Sequence, residues 1–153
     1  MTHPVIELKM TPDCLKSPGG IPFYATDGSA AMDLKACLKE PLDLFPCVSE
    51  IVHTGVRVNI NDKGIVAILA SRSGLYAKHG VRVGQGIGTI DSDYQGEIKV
   101  ILTNDSSETY TVQPGDRIAQ LMFVPVLQAN LMLVNEFSSE TKRGDGGFGH
   151  TGR

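Results

Sequence analysis

The chain has 153 residues, of which 17 are glycine and 8 are proline, with 41% hydrophobic and 20% charged residues. This composition is typical of one compact domain, and the scattered glycines and prolines exclude collagen-like and low-complexity chains. The net charge is -3 and no Lys/Arg cluster is longer than Lys142-Arg143, which argues against a nucleic-acid partner. No apolar run approaches the roughly 20 residues that span a bilayer, and the N-terminus has no cleavable apolar signal, so we expect a cytoplasmic protein without a membrane partner.

Period-two alternation of apolar and polar residues predicts strands with one buried face at residues 5–9, 32–36 and 56–60. Denser apolar runs predict strands buried between two sheets at residues 65–70, 98–102, 118–126 and 131–134. Turn signals such as Asp62-Lys63-Gly64 separate these runs. The pattern therefore indicates an all-β sandwich or jelly roll.

One short helix is predicted over residues 73–79, with Ser73 as a candidate N-cap and Gly80 as a left-handed stop. After residue 137 the apolar period is lost, so we expect a core domain at residues 1–137 and a flexible C-terminal arm at residues 138–153. The arm contains a formal GxGxxG match, but no strand precedes it and too few residues follow for the helix that a dinucleotide site needs. Its composition suits folding over a bound nucleotide, and a disordered tail is the alternative.

The three cysteines, Cys14, Cys37 and Cys47, form an odd set without CxxC or metal-type spacing. Such a set favours free thiols that are buried or partly buried. We therefore expect free thiols and assign them no chemistry.

Residues 88–97 place two aspartates and a tyrosine, among them Asp91 and Tyr94, in a hairpin-like turn before an apolar strand. A carboxylate in such a turn can activate a water as general base, whereas the alternative is an Asp-rich turn that satisfies its own backbone. Glycines at positions 84, 86 and 88 allow the backbone to approach a flat ligand and to bind a base through main-chain groups. A bulged hairpin without a ligand is the rival interpretation.

Four polar residues outside this turn are further candidates. Arg72, just before the predicted helix, can bind phosphate together with helix amides, or can pair with a neighbouring carboxylate. Asp33, taken alone, is a solvated outward residue of an alternating strand. Gln120 interrupts a buried strand, so it needs partners in the protein or in a ligand, or else costs roughly 1 to 3 kcal/mol. For Arg117 we expect a structural role, either in an ion pair or as a cap of backbone groups.

Five segments resemble, in order and spacing, the motifs of the trimeric deoxyuridine triphosphate nucleotidohydrolases (dUTPases): SAAMDL at 29–34, RSGL at 72–75, GTIDSDYQG at 88–96, GDRIAQL at 115–121 and RGDGGFG at 143–149. The resemblance covers nearly the whole chain. It implies a distorted jelly-roll subunit with one short helix, and a homotrimer with three active sites, each built from all three chains. It also implies hydrolysis of dUTP to dUMP and pyrophosphate with Mg²⁺.

The resemblance also implies roles for individual residues. Asp91 would be the general base that orients water toward the α-phosphorus, and Tyr94 would pack under the deoxyribose and exclude a ribose. Asp33 would hold waters of the magnesium shell, Arg143 would meet the γ-phosphate, and Phe148 would stack on uracil. The other substrate contacts form two groups: Gln85, Gly86, Thr89, Ile90 and Lys99 for uracil, and Arg72, Ser73, Gly74 and Gln120 for the phosphates.

Three positions depart from the family's pattern, namely Ser71 for proline, Gln85 for asparagine and His150 for serine. Serine at position 71 is expected to loosen its loop, and Gln85 is expected to contact the base through its backbone only. Two other functions stay open. A dCTP deaminase of the same fold would need a glutamate at the base, for which Glu97 is the only candidate and lies beyond the turn. A non-catalytic, nucleotide-binding regulatory trimer is the second alternative.

Overall fold

The computed structural model describes residues 3–16 and 20–147, which form eleven strands and two short helices. In chain order these are β1 (Glu7–Met10), α1 (Pro12–Lys16), β2 (Met32–Lys35), β3 (Leu42–Leu44), β4 (Ser49–His53), β5 (Val56–Asn59), β6 (Ile65–Ala70), α2 (Ser73–His79), β7 (Val81–Val83), β8 (Ile87–Ile90), β9 (Lys99–Asn104), β10 (Tyr110–Val112) and β11 (Arg117–Pro125). The all-β class predicted from alternation is confirmed.

The strands of the described chain pair antiparallel in four small sheets. The largest has the order β2-β11-β6-β8, the next β4-β9-β7, and two pairs, β1-β5 and β3-β10, complete the set. Neighbours such as β2 and β11 are far apart in sequence, so the chain crosses repeatedly between sheets. Apolar side chains from several sheets form one core, in which Leu34, Leu69, Val100, Leu102 and Leu121 are almost completely buried.

One of the denser apolar runs, β9, is not buried on both faces. Strand β9 alternates between buried and exposed residues, and its Ile101 pairs with Ile51 of β4. Ile51 is 60% exposed and Ile101 37%. The prediction of a strand covered on both sides is therefore wrong for β9 in the single chain, whose outer face carries apolar side chains.

The predicted strand at residues 131–134 is also wrong for the single chain. The last strand that the structure describes ends at Pro125, and residues 126–137 continue without strand pairing. Leu131 is 95% and Leu133 100% exposed. This run has the composition of a strand, but it has no partner strand within the described chain.

Helix α2 has the predicted bounds, and Gly80 ends it at φ 67°, with its amide donating to Tyr76 O at 2.8 Å. The predicted cap by Ser73 is wrong, because the N-cap is Arg72 and no side chain caps the helix. Helix α1 was missed, although Thr11 and Pro12 form a start signal of the kind that precedes short helices. Neither described helix is long and apolar enough to cross a membrane.

Cys14 of α1 forms a disulfide with Cys37, with their Cα atoms 5.5 Å apart. The free-thiol prediction is therefore wrong for this pair. Cys47 is free, as predicted, but exposed rather than buried. Sequence spacing could not identify the pair, because 23 residues separate the two cysteines and only the folded chain brings α1 to the end of β2.

Candidate active site

The turn of residues 91–97, called the Asp91 turn below, joins two different sheets. Strand β8 before it pairs with β6, whereas β9 after it pairs with β4 and β7. The predicted hairpin is therefore wrong, because β8 and β9 diverge instead of pairing. Asp91 and Tyr94 are both exposed on this turn, and the Tyr94 amide donates to Asp91 O at 3.1 Å. The divergence opens space between the sheets where a ligand can enter.

The ring of Tyr94 lies directly over Gly96. A Cβ at Gly96 would overlap with the ring and hydroxyl of Tyr94, so only glycine leaves room for this packing. The hydroxyl donates to Glu97 O at 2.9 Å, and Tyr94 remains 46% exposed. One face of a fixed aromatic ring is thus available to a ligand.

A cavity of about 240 Å³ opens beside this ring. Its walls are Leu69, Gln85, Gly88, Thr89, Ile90, Tyr94, Glu97, Ile98 and Lys99. The structure therefore brings together four of the five residues predicted to contact uracil, and adds Tyr94. The fifth, Gly86, has φ 86° and forms the turn before β8, where its amide donates to Val83 O at 3.0 Å. The volume lies below that of sites for whole drug-sized ligands and suits a single ring.

Arg82 supports the turn between β7 and β8, and it was not identified from the sequence. Its Nη1 donates to Gly84 O at 2.7 Å, and its Nε pairs with Asp105 Oδ2 at 2.5 Å. The hydrogen bond to Asp105 raises the pKa of Arg82 above its ordinary value, so the guanidinium stays charged. No pattern in the sequence distinguishes Arg82 from other strand arginines.

Glu97 and His53 form a second pair that the sequence did not reveal. Glu97 Oε2 lies 2.9 Å from His53 Nδ1, and Glu97 Oε1 accepts from the Gly55 amide at 2.8 Å. Burial raises the pKa of Glu97, but the bonds from His53 and Gly55 and the charge of Lys99 outweigh it, so the pKa lies below its ordinary value. Glu97 therefore lines the cavity as a carboxylate whose two oxygens are already bonded within the protein.

The candidate phosphate loop, residues 71–74, lies at the end of β6. Arg72 Nε donates to Asp33 Oδ1 at 2.8 Å, and Arg117 Nη1 donates to Asp33 Oδ2 at 3.2 Å. Asp33 is thus bonded to two arginines and is not a solvated outward residue. The alternative that Arg72 pairs with a carboxylate is confirmed, as is the structural ion pair of Arg117.

Gln120 lies between Asp33 and Ala70 in adjacent strands. Its Nε2 donates to Ser71 O at 3.0 Å, which gives the partly buried amide the partner it needs. The Val83 amide donates to Ser71 Oγ at 2.9 Å. The expected loosening of the loop by serine is therefore wrong, because the loop is bonded on two sides.

Asp91 and Gln120 lie apart in one chain, whereas Gly86 precedes Ile87, which pairs with Ala70 directly before the phosphate loop. Ile90 pairs with Ala67, whereas Gln120 pairs with Ala70 three residues further along β6. At about 3.3 Å per residue this offset is about 10 Å, before the lateral spacing between strands is added. Asp91 continues past Ile90, away from the phosphate loop, so the distance exceeds the spacing of neighbouring phosphates in a triphosphate.

The remaining predicted residues are placed as follows. Ser73 and Gly74 are exposed in the first turn of α2, and Arg143 Nε donates to Gly146 O at 2.8 Å within its own segment. Phe148 and His150 lie outside the described residues. Among the described residues, no group of three or more His, Cys, Asp or Glu side chains could hold a metal ion.

The chain is similar to known proteins over nearly its whole length. A family model described as dUTPase matches residues 18–152. The deoxyuridine 5'-triphosphate nucleotidohydrolases of Idiomarina loihiensis and Legionella pneumophila are 49% and 48% identical to this chain. The alignments cover 97% of this chain and of the first protein, and 99% of this chain and of the second.

A solved structure extends the likeness to the fold. The chain resembles the Staphylococcus bacteriophage 80alpha dUTPase with dUPNHPP at 27% identity and a TM-score of 0.80, over 97% of this chain and 99% of that one. The predicted jelly-roll fold is confirmed by this similarity, with two short helices instead of one. The chain belongs to the dUTPase family.

Proposed function

We propose that the protein hydrolyses dUTP to dUMP and pyrophosphate, which limits uracil incorporation into DNA and supplies dUMP for thymidylate synthesis. The observation that carries this proposal is a ring-sized cavity bordered by Tyr94 and Ile90, with the exposed Asp91 directly after Ile90 in the chain. Relatives at 48 to 49% identity, named deoxyuridine 5'-triphosphate nucleotidohydrolases, support it.

Asp91 acts as general base in this proposal. Its carboxylate accepts a proton from a water, whose oxygen attacks the α-phosphorus while the bond from that phosphorus to the bridging oxygen breaks. Pyrophosphate leaves with the electron pair of that bond. Exposure of Asp91, the residue after Ile90 of the cavity wall, supports this role, because water has access to its carboxylate.

The cavity selects the nucleotide. Main-chain groups around Gly86, Thr89 and Ile90, with Gln85 and Lys99 nearby, bind uracil, whereas the exocyclic amine of cytosine would leave buried groups unpaired. The methyl group excludes thymine from so small a space. The ring of Tyr94 packs under the deoxyribose and leaves no room for a 2′-hydroxyl.

A homotrimer completes the site. In this arrangement one copy supplies Asp91 to a site. A different copy binds the phosphates through Arg72, Ser73, Gly74 and Gln120. The offset of about 10 Å along β6 between Gln120 and Ile90, the residue before Asp91, supports this arrangement. The apolar outer pair Ile51 and Ile101, and the exposed apolar run after Pro125, supply surface for contacts between copies.

The arm at residues 138–153 closes over the occupied site in this proposal, with Arg143 at the γ-phosphate and Phe148 on uracil. Asp33, which is already paired with Arg72 and Arg117, would accept hydrogen bonds from waters of a Mg²⁺ ion, and that ion would neutralise charge on the triphosphate. A lone carboxylate suits this role, because magnesium prefers phosphate oxygens and water to a protein cage. A cytoplasmic location stays a prediction.

One assay separates these functions, namely release of pyrophosphate from dUTP, dCTP, dTTP and UTP. The proposal expects release from dUTP alone. Deamination of dCTP would identify the deaminase, although the Glu97 carboxylate is already bonded to His53 and Gly55. Tight binding of dUTP without pyrophosphate release would identify the regulatory trimer and overturn the proposed hydrolysis.

A further inference from the structure

Glu97 joins the Asp91 turn to the connection between β4 and β5. Its carboxylate accepts the Gly55 amide at 2.8 Å and lies 2.9 Å from His53 Nδ1. The Glu97 side chain is only 14% exposed, whereas the His53 side chain is 51% exposed. Hydrogen bonds to a charged, partly buried acceptor are stronger than those between neutral exposed groups, so this connection holds the end of the turn firmly.

The Gly55 side of this connection has little freedom. Gly55 has φ 69°, and a Cβ there would overlap with the side chain of Cys14, which belongs to the disulfide. The Gly55 carbonyl also accepts the Thr11 amide at 2.9 Å. Glu97 therefore binds to a loop that helix α1 and the disulfide hold from the opposite side.

Tyr94 lies at the other end of the same short stretch. Its ring covers Gly96 and its hydroxyl donates to Glu97 O, so a shift of Glu97 moves the support on which the ring rests. The other hydrogen bonds from the Asp91 turn to the rest of the protein are longer or more exposed than those of the Glu97 carboxylate. The Asn61 amide donates to Ser92 O at 3.1 Å, and the Gln95 side chain donates to Asn59 Oδ1 at the surface.

We propose that Glu97 is a positioning residue, whose carboxylate fixes the Asp91 turn so that the Tyr94 ring discriminates deoxyribonucleotides from ribonucleotides. This inference rests on the proposed hydrolysis of dUTP. It assigns the carboxylate to the protein's own geometry and not to contact with the substrate. Glutamine can replace it, because its amide oxygen accepts from Gly55 and its NH₂ group donates to the other tautomer of His53.

The test compares kcat/KM for dUTP and UTP in wild type, Glu97→Ala, Glu97→Gln and the surface control Gln95→Ala. Glu97→Ala is expected to lower the dUTP preference by about ten-fold, the factor that one hydrogen bond of ordinary strength contributes. Glu97→Gln and Gln95→Ala are expected to retain the preference. Thermal unfolding of each variant shows whether it is folded, and only folded variants enter the comparison.

A double-mutant cycle with Tyr94→Ala separates positioning from general stability. If Glu97 acts through Tyr94, Glu97→Ala has no further effect on the dUTP preference once the ring is removed. A folded Glu97→Ala protein with an unchanged preference overturns the inference, as does a Glu97→Gln protein as impaired as Glu97→Ala. Additive effects of Glu97→Ala and Tyr94→Ala on the dUTP preference also overturn the inference. Failure of wild type to release pyrophosphate from dUTP would instead overturn the proposed function.

Discussion

The Asp91 turn and the segment after Pro125 differ in how much of their structure one chain provides. The turn is bonded at both ends, through Ser92 to Asn61 and through Glu97 to Gly55. The segment leaves large apolar side chains almost completely exposed: Leu127, Leu131, Leu133 and Phe137. The turn is therefore complete in a single chain, whereas the segment needs a surface that the chain itself does not supply.

This contrast separates two tasks in the proposed enzyme. The chemical group and the cavity for the base come preformed, with their geometry fixed by buried contacts. Closure and binding of the phosphates depend on other copies of the chain. Changes in the Asp91 turn should therefore affect the chemical step and the choice of base, whereas changes in the segment should affect closure and binding of the phosphates.

Asp91→Asn tests the turn and has the largest expected effect. The amide keeps the shape of the carboxylate but cannot accept the proton from water, so kcat should fall by roughly 10² to 10⁴. Binding of a non-hydrolysable dUTP analogue and the mass of the assembly should change little. A near wild-type kcat would remove Asp91 from the role of base.

Truncation after Thr141 removes most of the C-terminal arm, and it leaves both the Asp91 turn and the apolar part of the segment after Pro125 in place. No strand of the described chain lies beyond Pro125, so the melting temperature and assembly mass should change little. Activity should fall strongly, because the site loses Arg143, Phe148 and its closure against water. Full activity would make the arm a passive tail, and dissociation into monomers would make it an assembly element.

Within the arm, Phe148→Ala is the matched control, and it should lower activity less than the truncation does. Stacking of a base on an aromatic ring is worth about 1 to 3 kcal/mol by alanine substitution in single-stranded nucleic-acid binders. A loss as large as that of the truncation would leave no separate role for Arg143.

The sequence predicted best those strands whose partner strands belong to the same chain. Alternation located three strands and the denser apolar runs another three, each to within two residues, and the latter include β6 and β11 beside the phosphate loop. The prediction failed at residues 131–134, because a strand pattern does not show whether the partner belongs to the same chain. It also missed His53 and Gly55, whose contact with Glu97 depends on pairing across the sheet and leaves no local signal.

The Cys14–Cys37 disulfide sharpens the comparison, because it supports the Gly55 loop behind the turn. Replacing both cysteines with serine should lower the free energy of unfolding by about 3 kcal/mol, as expected for a loop closed across 23 residues. Denaturant unfolding at fixed protein concentration, with and without a thiol reductant, measures this. Cys47→Ser is the control and should change nothing, and insensitivity of wild type to the reductant would contradict the prediction.

A smaller effect should appear in the pH dependence of stability. Because the pKa of folded Glu97 lies below its ordinary value of 4.5, the ionised carboxylate stabilises the fold above that pH. This contribution is lost as the pH falls through the lower, folded value. The stability of wild type relative to Glu97→Gln should therefore fall as the pH drops below 4.5. A constant difference over the whole range would contradict the assignment.

Complementation between two inactive variants tests most directly whether different copies supply the two halves of the site. Asp91→Asn disables the turn and Arg72→Ala disables the phosphate loop, and each protein alone should be nearly inactive. Equal co-expression should restore dUTP hydrolysis to about a quarter of the wild-type rate per site, because each site then draws its two halves independently from the two pools. Mixed assemblies that stay as inactive as the separate variants would show that one chain supplies both halves, and would contradict the account.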